Sequence, residues 1–397
     1  MKLSPSWLAW PETRKLIKAF TGRGEKLRFV GGAVRDSLLG IDAVDIDAAT
    51  SMTPDFVQEL LEKSGIRVIP TGIKYGTVTA LIDGRSFEIT TLRRDNSCDG
   101  RHAHVEYTGD WREDAMRRDF TMNAIYMAPD GELFDYEGGI QDATTGAVRF
   151  IGDPKQRIKE DYLRILRLFR FYAYYGRQAL EPESLAACFE LAPQIASLSG
   201  ERIQHEMLKL LASPAPFAAI KLMHDNKITS HVFGFNIISD RWPDRGIEQL
   251  KTAELRLAYL LLTAGIPALD ALKNLSARWK LSNEFKKLLS LLIGHIDDIN
   301  QALGVARQKH LIRTLGTDIY IALISLKMAL EPDASYGPMI DLAKNWQIPS
   351  MPVTGADLLA KGIAEGKELG QKLMELEILW EKSDYKLGRE ELLATIQ

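Results

Sequence analysis

Two cysteines, Cys98 and Cys188, are all that this chain of 397 residues contains. That is too few for a disulfide framework or a cysteine-ligated zinc site, and it suits a reducing compartment. Long apolar runs are missing as well. No stretch approaches the roughly 20 residues a membrane-spanning helix needs, and the opening MKLSPSWLAWPETRK lacks the apolar core of a signal peptide. The expectation is a cytoplasmic protein with no membrane partner. An excess of charge is absent too: the formal net charge is -3, so any binding of RNA or nucleotide must rest on local basic patches. What the chain does have is ordinary apolar material, 46% of its residues, and a length that implies two or more domains.

The front of the chain reads as a helix near 11 to 20, then an apolar strand, LRFV at 27 to 30, ended by Gly31 and Gly32. AVRDSLLG follows as a helix stopped by Gly40, and VDIDAAT as a second strand. Paired glycines let backbone amides approach a ligand, and the helix start behind them favours an anion; a tight turn is the plain alternative. Asp45 and Asp47 alternate on the second strand, so both project to one face while Val44 and Ile46 turn inward. Two adjacent carboxylates repel unless neutralised, and Mg²⁺ neutralises such a pair while keeping water and substrate phosphates as further ligands. A solvated strand edge would also explain them.

Asp83-Gly84 marks a hairpin turn, after which RSFEITTLR places Glu88 as a third carboxylate near the pair or as a cross-strand partner of a basic residue. Residues 93 to 110 have weak periodicity and many turn formers, which predicts a mobile loop. Arg117, Arg118 and Asp119 form a compact group suited to phosphates and a ribose hydroxyl. DYEGGIQDATTG at 135 to 146 reads as a glycine-hinged connector.

EDYLRILRLFR at 160 to 170 lies within a predicted helix over 155 to 177. Residues three and four apart share a helical face, so Asp161 would stand beside Arg164, with Arg167 and Arg170 along the same ridge. An acceptor beside a donor matches the Watson-Crick edge of cytosine or adenine and mismatches guanine and uracil. A surface ion pair is the alternative.

Taken together and in order, GGAVRD at 31 to 36, DID at 45 to 47, RRDFTMNA at 117 to 124, DYEGG at 135 to 139, EDYLR at 160 to 164 and SGERIQHEMLKLL at 199 to 211 resemble the motif set of class II tRNA nucleotidyltransferases. These are the CCA-adding enzymes, with bacterial poly(A) polymerases as close kin. Met122 departs from the usual isoleucine or valine, and Tyr162 fills a variable slot. The resemblance implies an α+β chain: a polymerase-β-like nucleotidyltransferase head with a small mixed sheet (1–150), then an all-helical neck (151–215), body (216–345) and tRNA-binding tail (346–397). It implies Asp45 and Asp47 as catalytic metal ligands and Mg²⁺ as the cofactor in a two-metal scheme; Glu88 rests on its strand position alone, as a third catalytic acid or a cross-strand partner. Gly32, Arg35, Arg118 and Asp119 would meet the nucleotide's phosphates and ribose. Asp161 and Arg164 would read the base, supported by Arg167 and Arg170. The implied reaction is transfer of CMP and AMP from CTP and ATP to the 3′ end of tRNA, with pyrophosphate released. A poly(A) polymerase, a CC-adding enzyme, or a noncatalytic RNA-binding protein on the same head are the other readings.

Beyond residue 215, helical periods at 251–264, 267–279, 282–299, 305–330 and 336–346 read as amphipathic packing. His224-Asp225 lacks the partners a metal site needs, and His295, Asp297 and Asp298 are weaker still. Gly355, Gly362, Gly366 and Gly370 punctuate the final helices, consistent with close approach of RNA backbone or with a simple helical hairpin.

Overall fold

Leu27–Val30 (β1) is buried at all four residues and lies inside a seven-stranded mixed sheet. Its companions are β2 (Ile46–Thr50), β3 (Arg67–Ile69), β4 (Thr77–Ile82), β5 (Arg85–Thr91), β8 (Ile125–Met127) and β9 (Leu133–Asp135), in the order β3-β4-β5-β2-β1-β8-β9. Among the described residues only β2 and β5 run parallel, from Ile46 opposite Phe87 to Thr50 opposite Thr91. The connection between them passes through α3 (Pro54–Lys63), β3 and β4. Asp83 and Gly84, both at positive φ, make the β4–β5 turn. This computed structural model describes residues 1–22, 26–69, 72, 76–98, 103–237 and 246–396.

Strand alternation gives the sheet two different faces. Phe29, Ala48, Phe87 and Ile89 share one, where the Trp7 ring meets Phe29 edge-on at 4.8 Å and α1 (Pro11–Phe20) and α3 pack on β4. Val30, Ala49 and Tyr126 occupy the other, joined in one buried cluster by Leu92, Ala115, Ala124 and Ile151. This second face carries Asp47 and Glu88, and α4 (Trp111–Met116) lies against it. α2 (Gly32–Leu38) leaves β1 directly.

Two expectations for this region need correcting. The predicted loop at 93 to 110 contains a hairpin, β6 (Arg93–Cys98) with β7 (Ala103–Tyr107), whose polar first strand, RRDNSC, hid the pairing; residues 99–102 lie outside the described residues. The expected hinge at Gly138-Gly139 is a capped turn. Asp135 accepts from the amides of Glu137, Gly139 and Ile140, at 3.2, 2.9 and 2.9 Å, at the start of α5 (Gly139–Thr145). A side chain at Gly139 would meet the Thr121 carbonyl oxygen at 2.1 Å, so this glycine serves close packing.

After α5 come α6 (Pro154–Glu160), α7 (Leu163–Tyr175), α8 (Pro182–Leu191) and α9 (Gly200–Ala212), with α7 packed on α9. The chain divides into two compact units, Met1–Ser239 with Ala277–Lys280, and Asp240–Ser276 with Leu281–Gln397. In the second, the anticipated 305–330 helix breaks at Gly316, φ +87°, into Val305–Leu315 and Thr317–Leu330. Its last helices close on their own core of Val353, Leu358, Leu376, Trp380, Leu392 and Leu393. Among the described residues no helix is long and apolar enough to cross a membrane.

Candidate active site

β2 places Asp47 opposite Val30 on one side and opposite Glu88 on the other, so the two carboxylates stand on the same face of neighbouring strands. Asp45 is exposed in the bend just before the strand. Val44 is 84% exposed rather than turned inward, because the extended pairing that would bury it starts only at Ile46. Burial pushes the Asp47 carboxyl up to about 6; the nearby negative charges of Glu88 and Asp45 add to that, and Arg118 opposes it. Burial first, and the two neighbouring acids after it, make the charged form of Asp47 costly without a cation beside it. Such an all-oxygen set suits a hard divalent cation. Among the described residues no three carboxylates, imidazoles or thiols converge closely enough to hold an ion unaided.

Because Val30 pairs with Asp47, the turn that follows β1 sits beside the acids. Gly31 there has φ +75° and ψ −130°, which side-chain-bearing residues rarely adopt, and Gly32 opens α2. Arg35 does not reach open space. Its guanidinium donates to Asn123 Oδ1 at 2.5 Å, to the Tyr175 hydroxyl at 2.7 Å and to Asp36 at 2.9 Å, and lies over the Tyr175 ring. Arg35 thus ties α2 to the end of α7.

Arg117 and Arg118 are both held by Asp114 on α4. Arg117 Nε donates to one carboxylate oxygen at 2.8 Å, and Arg118 Nη2 to the other at 3.1 Å, where the Tyr126 hydroxyl also donates at 2.6 Å. Asp119 accepts from the Phe120 amide at 2.9 Å, from Asn123 Nδ2 at 3.0 Å and from Arg167 Nε at 2.7 Å. Burial raises the Asp119 pKa, but Arg167, Asn123 and the amide together hold it below the ordinary carboxylate range. Arg170 pairs with the buried Glu206 of α9 at 2.7 Å, and Arg167 lies 3.6 Å from the same carboxylate.

The expected Asp161–Arg164 ridge is not present as predicted. The backbone at Asp161 is extended, φ −155° and ψ 108°, which ends α6 at Glu160 and lets α7 begin at Leu163. Asp161 works as a cap: its Oδ1 accepts from the Leu163 amide at 3.1 Å. Its other oxygen accepts from Arg202 Nη2 of α9 at 2.7 Å. Arg164 instead donates to Glu160 at 2.6 Å and to the Arg157 carbonyl at 2.8 Å. Both proposed base readers are thus close in the chain, each bound to another partner.

Asp114, Glu160, Arg202 and Glu206 were not singled out from the sequence. A signal did exist for Asp114, three and four residues before Arg117 and Arg118, and for Glu160, four before Arg164. Arg202 and Glu206 act across tertiary contacts, to which local spacing gives no clue. His224, Asp225 and His295 form no metal cluster among the described residues; Asp225 pairs with Lys221, and His295 with Asp298.

Residues 27–149 match the family described as Poly A polymerase head domain, and residues 179–235 match that described as Probable RNA and SrmB- binding site of polymerase A. The chain is 36% identical over 398 residues to the Mus musculus protein named CCA tRNA nucleotidyltransferase 1, mitochondrial, covering 97% of this chain and 89% of that one. It is 29% identical to a CCA-adding enzyme of Lactobacillus johnsonii, over 91% of this chain and 90% of the relative. The crystal structure of the Bacillus stearothermophilus CCA-adding enzyme in complex with CTP superposes with a TM-score of 0.82 at 27% identity, covering 96% of this chain and 95% of that one. With the sheet, the carboxylates and the arginine groups in place, the chain belongs to the family of CCA tRNA nucleotidyltransferases, the CCA-adding enzymes.

Proposed function

We propose that this chain adds CMP and AMP, from CTP and ATP, to the 3′ end of tRNA and releases pyrophosphate. The observation that carries the reading is the register of β2. Opposite Val30 and Glu88, Asp47 brings an acidic site against the Gly31-Gly32 turn and the start of α2. Acids that hold a cation and a helix start that receives phosphate are the two halves a nucleotidyl transferase needs. The relatives named CCA-adding enzymes, over nearly the full chain, support the tRNA substrate.

In this reading Asp45 and Asp47 hold Mg²⁺, with Glu88 beside them; water and phosphate oxygens complete the ligand set. Bound Mg²⁺ supplies positive charge that acidifies a ligated hydroxyl and neutralises charge on phosphate oxygens. Gly32 leaves room for the triphosphate, Arg35 braces the helix beneath it, and Arg118 faces it. Asp119 meets the ribose, held in place by Arg167, while Arg170 and Glu206 brace α7 on α9. Asp161 and Arg164 read the base, each exchanging its present partner, Arg202 or Glu160, for the cytosine or adenine edge. The division into head 1–150, neck 151–215, body 216–345 and tail 346–397 belongs to the same proposal. So does a cytoplasmic location, which the low cysteine content favours; the mouse relative's mitochondrial name makes the mitochondrion the alternative that cell fractionation decides.

The test is extension of tRNA that ends at the discriminator base, with Mg²⁺ and with CTP and ATP supplied singly and together. Two cytidines from CTP alone, and a stop after one adenosine when both are present, support the proposal. A long adenosine ladder would make the chain a poly(A) polymerase, and a stop after two cytidines a CC-adding enzyme.

A further inference from the structure

Asp114 has no part in the function proposed above, yet it is the most heavily engaged carboxylate near the site. It is 1% exposed. Its Oδ1 accepts from Arg117 and, at 3.3 Å, from the backbone amide of Arg93 at the root of the β6–β7 hairpin. Its Oδ2 accepts from Arg118 Nε and Nη2, at 3.3 and 3.1 Å, and from the Tyr126 hydroxyl at 2.6 Å. Arg118 Nε also lies 3.2 Å from that hydroxyl.

The consequence falls on Arg118. Two of its three guanidinium nitrogens are committed to the clamp. The third, Nη1, makes no hydrogen bond among the described residues and lies 3.9 Å from where a Cβ on Gly31 would stand. A long side chain held in this way has already lost the rotamer freedom that binding would otherwise cost, and its planar fork keeps one edge turned toward the turn. Tyr126 lies on β8, on the sheet face that carries Asp47, so the clamp is fixed to the same strands as the acids.

We propose that Asp114, with Tyr126, is a positioning residue for nucleotide binding: it fixes Arg118 through Nε and Nη2 so that Nη1 meets the triphosphate of CTP or ATP at the Gly31-Gly32 turn. This rests on the reading that the turn receives the triphosphate. Because the clamp acts on phosphate, it serves CTP and ATP alike and leaves base choice to other residues. Inorganic pyrophosphate shares the relevant oxygens and lacks the base.

The experiment compares equilibrium binding of CTP, CMP, pyrophosphate and tRNA to wild type, Asp114→Asn, Tyr126→Phe and Arg118→Ala. Asp114→Asn is expected to weaken CTP and pyrophosphate on the order of tenfold while CMP and tRNA change little, since the lost contact is charge-assisted. Tyr126→Phe should show a smaller loss of the same selectivity. A cooperatively folded Asp114→Asn that binds CTP as wild type does, where Arg118→Ala does not, overturns the clamp. Equal losses for CTP and CMP overturn it too, because they mark a general disturbance of the fold. If Asp114→Asn fails to fold, Tyr126→Phe carries the same test, and unchanged CTP affinity overturns the proposal. Normal CTP binding by Arg118→Ala would remove the underlying assignment of Arg118.

Discussion

Arg202 donates to Asp161 at 2.7 Å from 41 residues further along the chain, and so α9 holds one of the two proposed base readers. Arg164, the other reader, is held by Glu160 at 2.6 Å. Each reader is neutralised before a nucleotide arrives. A base edge must therefore replace a charge-assisted hydrogen bond with one at least as good, which a mismatched carbonyl facing Asp161 cannot do.

Base choice should accordingly be lost more readily than chemistry. Sites that hydrogen-bond a polar edge reject a mismatch by about 10⁴ to 10⁵. Asp161→Ala should admit UTP and GTP at measurable rates, and Arg164→Ala should weaken CTP and ATP together. Incorporation of all four nucleotides, compared as kcat/KM, checks this. Undiminished rejection of UTP and GTP by Asp161→Ala with normal CTP use would place the template elsewhere.

The acids should show the opposite balance. Asp45→Asn and Asp47→Asn are expected to abolish transfer, and EDTA should do the same to wild type, with Mg²⁺ restoring it. Asp47→Asn should at the same time melt no lower than wild type in metal-free buffer, since the change removes a half-buried charge crowded by Glu88 and Asp45. Normal transfer by either variant sinks the assignment, and a large drop in melting temperature for Asp47→Asn contradicts the crowding.

How much of this was legible in the sequence depended on the range of the interaction. Alternation around Ile46 and Asp47 placed Asp47 correctly, because burial on one sheet face is a local pattern. Val44 was misplaced because nothing local marks where pairing begins. Asp161 was read as a helical residue, although an aspartate two residues before an apolar helix is also a cap, and period alone does not separate the two. The β6–β7 hairpin escaped because its first strand, RRDNSC, shows no apolar alternation. Glu206 could not have been paired with Arg170 of α7, nor Arg202 with Asp161 just before it, without the packing of α9 against α7.

Acid should unfold the head through Asp114. Burial alone would raise its pKa, but Arg118, Arg117 and Tyr126 bring it from 3.8 to about 2. The folded value lies below the unfolded one. The stabilisation, on the order of 2 kcal/mol, is therefore present above about pH 4 and is lost as pH falls toward 2. Asp114→Asn should be less stable by a similar amount at pH 7 and lose less on acidification, measured by urea unfolding across that range. Parallel pH curves for the two proteins would show that the carboxylate carries no such coupling.

The tail proposed for residues 346–397 allows RNA binding to be tested apart from nucleotide binding. Its helices, Gly355–Ala360, Lys367–Lys382 and Arg389–Ala394, share a core of their own. They are fastened to helix Val305–Leu315 by Arg313 and His310 to Glu381, each at 3.0 Å, and by Lys309 to Asp384 at 2.5 Å. Every residue proposed to meet the nucleotide or its metal lies before Glu206. With a net charge of -3 the chain has little long-range attraction for tRNA, so contacts distant from the 3′ end must supply much of the affinity. Deleting residues 350–397 is therefore expected to weaken tRNA binding about tenfold or more while CTP affinity stays within about twofold. Because the deletion uncovers helix Val305–Leu315, a circular dichroism melt of the truncated protein accompanies the two titrations. Equal loss of both ligands, with a broadened melt, would mean that the body unfolds without the tail and would leave the tail no separate part in holding RNA.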